Sequence, residues 1–113
     1  DMAPAPKTVP PVPRPVAVGG LTLTWLLGDV PRTITTRAGE KRTIVELRDP
    51  ARLSQSLVIW LDGDVAGLPD LRIGTPISLH VEAVRSGRAR GELVATVSRE
   101  AVVAAFSRAR EAS

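Results

Sequence analysis

The residues whose types and spacing point to chemistry are cations, with one aromatic ring among them. Arg32, Arg37, Lys41, Arg42 and Arg48 fall in the stretch RTITTRAGEKRTIVELRD, residues 32–49. Two β-rich runs flank the polar turn Ala38-Gly39-Glu40-Lys41 there, so the stretch reads as a basic β-hairpin. The run RSGRARG at 85–91 supplies Arg85, Arg88 and Arg90. A guanidinium offers phosphate a planar fork of donors. Each cation set against a phosphate releases counterions and makes binding salt-dependent. Trp60 adds a ring that can stack on a base, in phase with Val58 and opposite Leu57, Ile59 and Leu61. The other tryptophan, Trp25, is in phase with Leu21 and Leu23 and is assigned to the core.

Other chemistries find no footing. There is no Cys, which excludes disulfides, thiolate metal sites and Cys nucleophiles. His80 has no ligand partners at metal-site spacing. Asp62-Gly63-Asp64 resembles the start of a calcium loop, but Val65-Ala66-Gly67 supplies no oxygen side chains, so it reads as a turn. The serines lack a His or acid partner in a hydrolase motif, and no glycine-rich phosphate loop is present. The expectation is a binding protein, with no enzyme activity and no cofactor.

These residues need a scaffold, and the chain has room for one. It has 113 residues, 43% of them hydrophobic, which supports a single core. Basic residues outnumber acidic ones 15 to 12, for a net charge of +3. Nearly all the cations are Arg, as phosphate recognition would use and as a GC-rich genome would also encode. No apolar run reaches membrane-spanning length, and the N-terminal stretch lacks a signal-peptide pattern. A cytoplasmic location without a membrane partner is expected.

Residues 1–20 hold most of the ten prolines and read as an extended leader or linker ending at Gly19-Gly20. From Leu21 the pattern becomes β. Leu21–Leu27 alternates, Gly28-Asp29-Val30-Pro31 bends the strand, and Arg32–Thr36 resumes it. Arg42–Arg48 is a second strand, with Thr43, Val45 and Leu47 facing the core. After a loop or turn at 51–54, Ser56–Asp62 is a third strand, apolar on both faces and so central or with a working outer face. Val65–Ile73 is a short helix or loop whose Leu68, Leu71 and Ile73 plug the core. Ile77–Val84 is a fourth strand with Ile77, Leu79, Val81 and Ala83 inward. Glu92–Ser98 is a fifth, and Arg99–Glu111 a helix capped by Ser98, with Val102, Val103 and Phe106 as its apolar face.

This order predicts an all-β fold with antiparallel neighbours throughout. The expected architecture is a five-stranded Greek-key OB-fold barrel over 21–98, with a short C-terminal helix over 99–113 and a Pro-rich N-terminal tail over 1–20. Three phrases carry a resemblance to a family: Gly28-Asp29-Val30-Pro31-Arg32; Thr36-Arg37-Ala38-Gly39-Glu40-Lys41; and Leu71-Arg72-Ile73-Gly74-Thr75-Pro76-Ile77, with the strand-five ending. Residues 21–98 thereby resemble bacterial single-stranded DNA-binding proteins. A helix stands where those proteins carry an acidic, glycine-rich tail, and the loop between strands four and five is short. Strand four also ends in Ala83-Val84, where those proteins usually have a glycine and a basic residue, and the three departures imply a plasmid-, phage- or conjugation-linked relative, or a protein adaptor on the same barrel.

The resemblance implies single-stranded DNA as partner, with RNA second, in replication, repair or DNA transfer. The groove would use Arg32, Arg37, Lys41, Arg42 and Arg48, Trp60 on its floor, and Arg85, Arg88 and Arg90. The alternative is a protein-interaction or oligomerisation module without nucleic-acid binding. It would engage a second copy or a partner through the Pro-rich leader, the C-terminal helix or the apolar strand-three face.

Overall fold

A computed structural model describes residues 21–112. The expected Pro-rich leader at 1–20 lies outside them. Half of the described residues are in strands. In chain order these are β1 (Leu21–Leu27), β2 (Arg32–Thr35), β3 (Lys41–Asp49), β4 (Arg52–Asp62), β5 (Pro76–Val81), β6 (Ala83–Ser86) and β7 (Glu92–Thr96), followed by α1 (Arg99–Ala112).

Seven strands make one sheet, in the order β5-β1-β3-β4-β7-β6, with β2 also paired to β3. The extra strands come from bends. β1 and β2 lie against successive parts of β3, with Leu27 opposite Leu47 and Arg32 opposite Ile44. The Gly28–Pro31 interruption therefore bends one long strand, as the proline predicted. Gly28 N–H donates to Glu46 O at 2.8 Å across the bend. Glu82 alone separates β5 from β6, yet these stand at the two ends of the strand order. The sheet must curl for one short segment to reach both ends, and the result is a barrel-like all-β body.

Several sequence expectations of strand and loop need correcting. β4 runs parallel to β7, with Leu57 beside Leu93 and Ile59 beside Ala95, so the neighbours are not all antiparallel. The chain reaches β7 from β6, which it pairs antiparallel, and that direction brings β7 alongside β4 the same way round. β4 begins at Arg52, not Ser56, because Asp49 pairs with Arg52 across a tight turn and an irregularity between Arg48 and Asp49. The alternation of the fourth strand inverts at Glu82: Val84 is buried, Ala83 is half-buried and Arg85 is exposed. Ile73 does not plug the core but is 60% exposed, and the segment 65–73 forms no helix.

The core gathers the inward residues of each strand. Thr43, Val45 and Leu47 of β3, Leu57, Ile59 and Leu61 of β4, and Ile77, Leu79 and Val81 of β5 are buried. Thr43 satisfies its hydroxyl on Gly63 O at 2.8 Å. Leu68 and Leu71 pack against this cluster from the loop. Helix α1 contributes Val102, Ala105, Phe106 and Ala109, a stripe at i, i+3, i+4 and i+7 rather than the Val102, Val103 and Phe106 expected. Ser98 caps it, its Oγ accepting the Ala101 amide at 3.2 Å.

The helix start is also anchored. Arg99 donates to the carbonyls of Asp62 at 2.6 Å, Asp64 at 2.7 Å and Ala66 at 2.6 Å. One guanidinium thus ties α1 to the turn that ends β4. Gly63, at φ 87°, lets that turn form beneath it.

Candidate nucleic-acid interface

The outer face of the curled sheet follows from register. Directly opposed residues share a face. Opposite Arg42, Ile44, Glu46 and Arg48 on β3 stand Asp62, Trp60, Val58 and Ser56 on β4. β2 adds Arg32 beside Ile44 and Ile34 beside Arg42. On the other flank, β7 sets Val94 beside Val58, and β6 sets Arg85 beside Val94. The face therefore has an apolar middle, Ile44, Val58, Trp60 and Val94, between cations on β2–β3 and on β6.

Trp60 is 43% exposed. Its neighbours Ile59 and Leu61 point inward and are buried, so period-two alternation directs the indole outward. A shallow cavity of about 310 Å³ joins Trp60 to Arg42 and Arg85, with Val94–Val97 forming its third side. Arg85 reaches this cavity because the break at Glu82 shifts the phase of β6.

The remaining cations lie at the two ends of β4. Arg37 sits in the hairpin turn, which closes through Thr36 N–H to Glu40 O at 2.8 Å and Gly39 N–H to Thr36 O at 2.9 Å. The turn thus spans 36–40, one residue or two earlier than the spacing predicted. Lys41 opens β3 and accepts the Gly63 amide at 2.9 Å, which places it by the C-terminal end of β4. Arg88 and Arg90 belong to the loop between β6 and β7. That loop meets the N-terminal part of β4, where Ser56 N–H donates to Gly91 O at 2.8 Å. From Ser56 to Asp62 a strand extends about 20 Å. Trp60 stands between the two basic ends.

Ion pairing divides the cations. Arg48 meets Glu46 at 2.6 Å and donates to Leu53 O at 3.2 Å. Its Cγ lies 2.7 Å from where a Cβ on Gly28 would stand, so its stem crosses the bend at that glycine. It is committed to the fold. Arg32 pairs with Asp29 at 3.6 Å and Arg42 with Glu40 at 3.9 Å. Exposed pairs of this kind contribute about 0–1 kcal/mol, so a phosphate can take over either guanidinium. Arg37, Lys41, Arg85, Arg88 and Arg90 make no ion pair among the described residues.

Sequence reasoning did not single out Ile44 and Val94 as parts of this face. Their signal was an apolar side chain at an outward position of a strand, as at Ile44 within the set Arg42, Glu46 and Arg48. Away from the face, His80 Nδ1 lies 3.1 Å from Thr22 Oγ1 across the β1–β5 pair. Among the described residues no group of three His, Cys, Asp or Glu side chains is placed to hold a metal ion. No helix among them is long and apolar enough to cross a membrane. Comparison with protein-family models, curated proteins and solved structures returned no match.

Proposed function

We propose that this domain binds single-stranded nucleic acid, DNA first, on the outer face of β3 and β4. The observation that carries the reading is Trp60, exposed in one cavity with Arg42 and Arg85. A ring flanked by guanidinium groups suits an unpaired base between two phosphates. Base stacking is available only where bases are unpaired, so the preference is for single strands.

The pairing pattern supports a finer fold reading, a five-stranded Greek-key OB barrel similar to bacterial single-stranded DNA-binding proteins. With β1–β2 and β5–β6 each counted as one bent strand, the order becomes 1-2-3-5-4, and strand four also pairs with strand one. OB barrels bind oligonucleotides on the face of their second and third strands, flanked by the loops after strands one and four. Here those parts are β3, β4, the hairpin turn with Arg37, and the loop with Arg88 and Arg90. The biological setting in this reading is replication, repair or DNA transfer, and the domain is a binding module rather than a catalyst.

Fluorescence anisotropy of labelled oligo-dT is the test. Saturable binding at low salt that weakens as salt rises is the expected result. No binding at low salt would overturn the proposal.

A second reading draws on the apolar middle of the same face. Trp and Arg in an apolar patch also anchor protein interfaces. In that case the face engages a second copy or a protein partner, with α1 and the Pro-rich leader as further candidate contacts. Light scattering separates the two, because an oligomer buried through Ile44, Trp60 and Val94 persists at high salt.

A further inference from the structure

The loop joining β6 to β7 is held by its own acid. Glu92, the first residue of β7, turns its carboxylate back under the loop. Its Oε1 accepts the Arg88 amide at 3.0 Å and the Ala89 amide at 3.5 Å. Successive N–H groups converging on one oxygen make an anion-holding concavity. The main chain closes around it, with Gly87 N–H donating to Glu92 O at 2.8 Å and Glu92 N–H to Ala89 O at 3.1 Å. Gly87 leaves the space, since a Cβ there would collide with the carboxylate. Gly91, at φ 77°, lets the chain pass Ser54 O, where a Cβ would stand at 2.8 Å.

Counting charge alone, Glu92 opposes a polyanion. The geometry gives it a second role of opposite sign. We propose that Glu92 is a positioning residue for nucleic-acid binding, holding the loop so that Arg88 and Arg90 are set at one end of the face before a strand arrives. The proposal rests on the nucleic-acid reading above. A loop ordered in advance spares the complex the entropy of ordering it.

Two substitutions of equal charge isolate the effect. Glu92→Gln removes the charge but keeps an oxygen that accepts both amides. Glu92→Ala removes the charge and the acceptor together. With labelled oligo-dT as probe, Glu92→Gln is expected to bind at least as tightly as the wild type. Glu92→Ala is expected to bind roughly 3- to 10-fold more weakly than Glu92→Gln, with a shallower salt dependence. Amide exchange at Arg88 and Ala89 should quicken in Glu92→Ala alone. Gly87→Ala is the second route, because its Cβ displaces the carboxylate while leaving the net charge untouched. It should weaken binding as Glu92→Ala does. Equal affinity of the Gln and Ala variants, with wild-type binding intact, overturns the positioning role and leaves the nucleic-acid reading standing. Absence of wild-type binding overturns both.

Discussion

On the proposed nucleic-acid face, Trp60 and the arginines beside it would divide the work by physics. The indole offers area without charge, and the guanidinium groups offer charge that salt screens. Trp60→Ala should therefore weaken oligo-dT binding by about 1–3 kcal/mol with little change in salt slope. Arg42→Ala or Arg85→Ala should each reduce the slope by roughly one phosphate contact. Arg48→Ala should behave differently, because Arg48 is held by Glu46 and Leu53 and packs over Gly28. Its loss should lower the urea midpoint and leave the slope nearly unchanged. Anisotropy at several salt concentrations, paired with urea melts, reads all four variants. The outward set of β3 and the placing of Trp60 opposite Leu57, Ile59 and Leu61 were legible from alternation, whereas the exposure of Trp60 was not, because both faces of that strand are apolar. Nor was the direction of Arg85, because one residue at Glu82 inverts the phase, and no local signal in the uninterrupted run Ile77–Val84 marks it.

At the scale of elements, α1 is tied at its first turn and packed along its length. Arg99 reaches three carbonyls from the two terminal nitrogens of a rigid planar fork, a spread that the compact point charge of a lysine ammonium does not match. Arg99→Ala should cost about 1–3 kcal/mol in urea unfolding, and Arg99→Lys should recover little of it. Phe106 is 1% exposed. Phe106→Ala should cost about 3–5 kcal/mol, since it deletes a buried ring and leaves a cavity. The helix itself was legible: Ser98 before Arg99-Glu100, then an alanine-rich run with apolar spacing. Its anchor was not, because Arg99 reaches a turn more than thirty residues away in sequence. The two-faced apolar pattern of Ser56–Asp62 left a central strand and a working outer face open, and β4 stands between β3 and β7.

Across the whole molecule, the net charge of +3 is a poor guide to binding. Field strength at the face depends on which cations are unpaired and near one another. If four to six phosphates contact the face, log affinity should fall against log salt with a slope of roughly −3 to −4. A salt titration measures this directly, and a slope near zero would favour the protein-interface reading. Because β5 and β6 link both ends of the strand order, the curled sheet should unfold as one cooperative unit. Urea transitions followed by Trp25 and Trp60 fluorescence and by far-ultraviolet circular dichroism should therefore coincide.

Local rules settle what depends on neighbours along the chain. Alternation in Arg42–Arg48 and Ser56–Asp62 separates core from surface, the Gly28–Pro31 cluster bends a strand, and Ser98 starts a helix. Those features were set by the sequence alone, since backbone geometry and side-chain polarity act over a few residues. Partnership between strands was decided by tertiary structure. Nothing in Ser56–Asp62 or Glu92–Thr96 specifies that they pair parallel, which follows from how the chain crosses through β5 and β6. The same crossing carries Arg85 to Trp60 and the Glu92-held loop to the far end of β4. The candidate face thus combines residues legible in the sequence, such as Arg42, with others, Val94 and Arg85, that only the curl of the folded sheet brings to it.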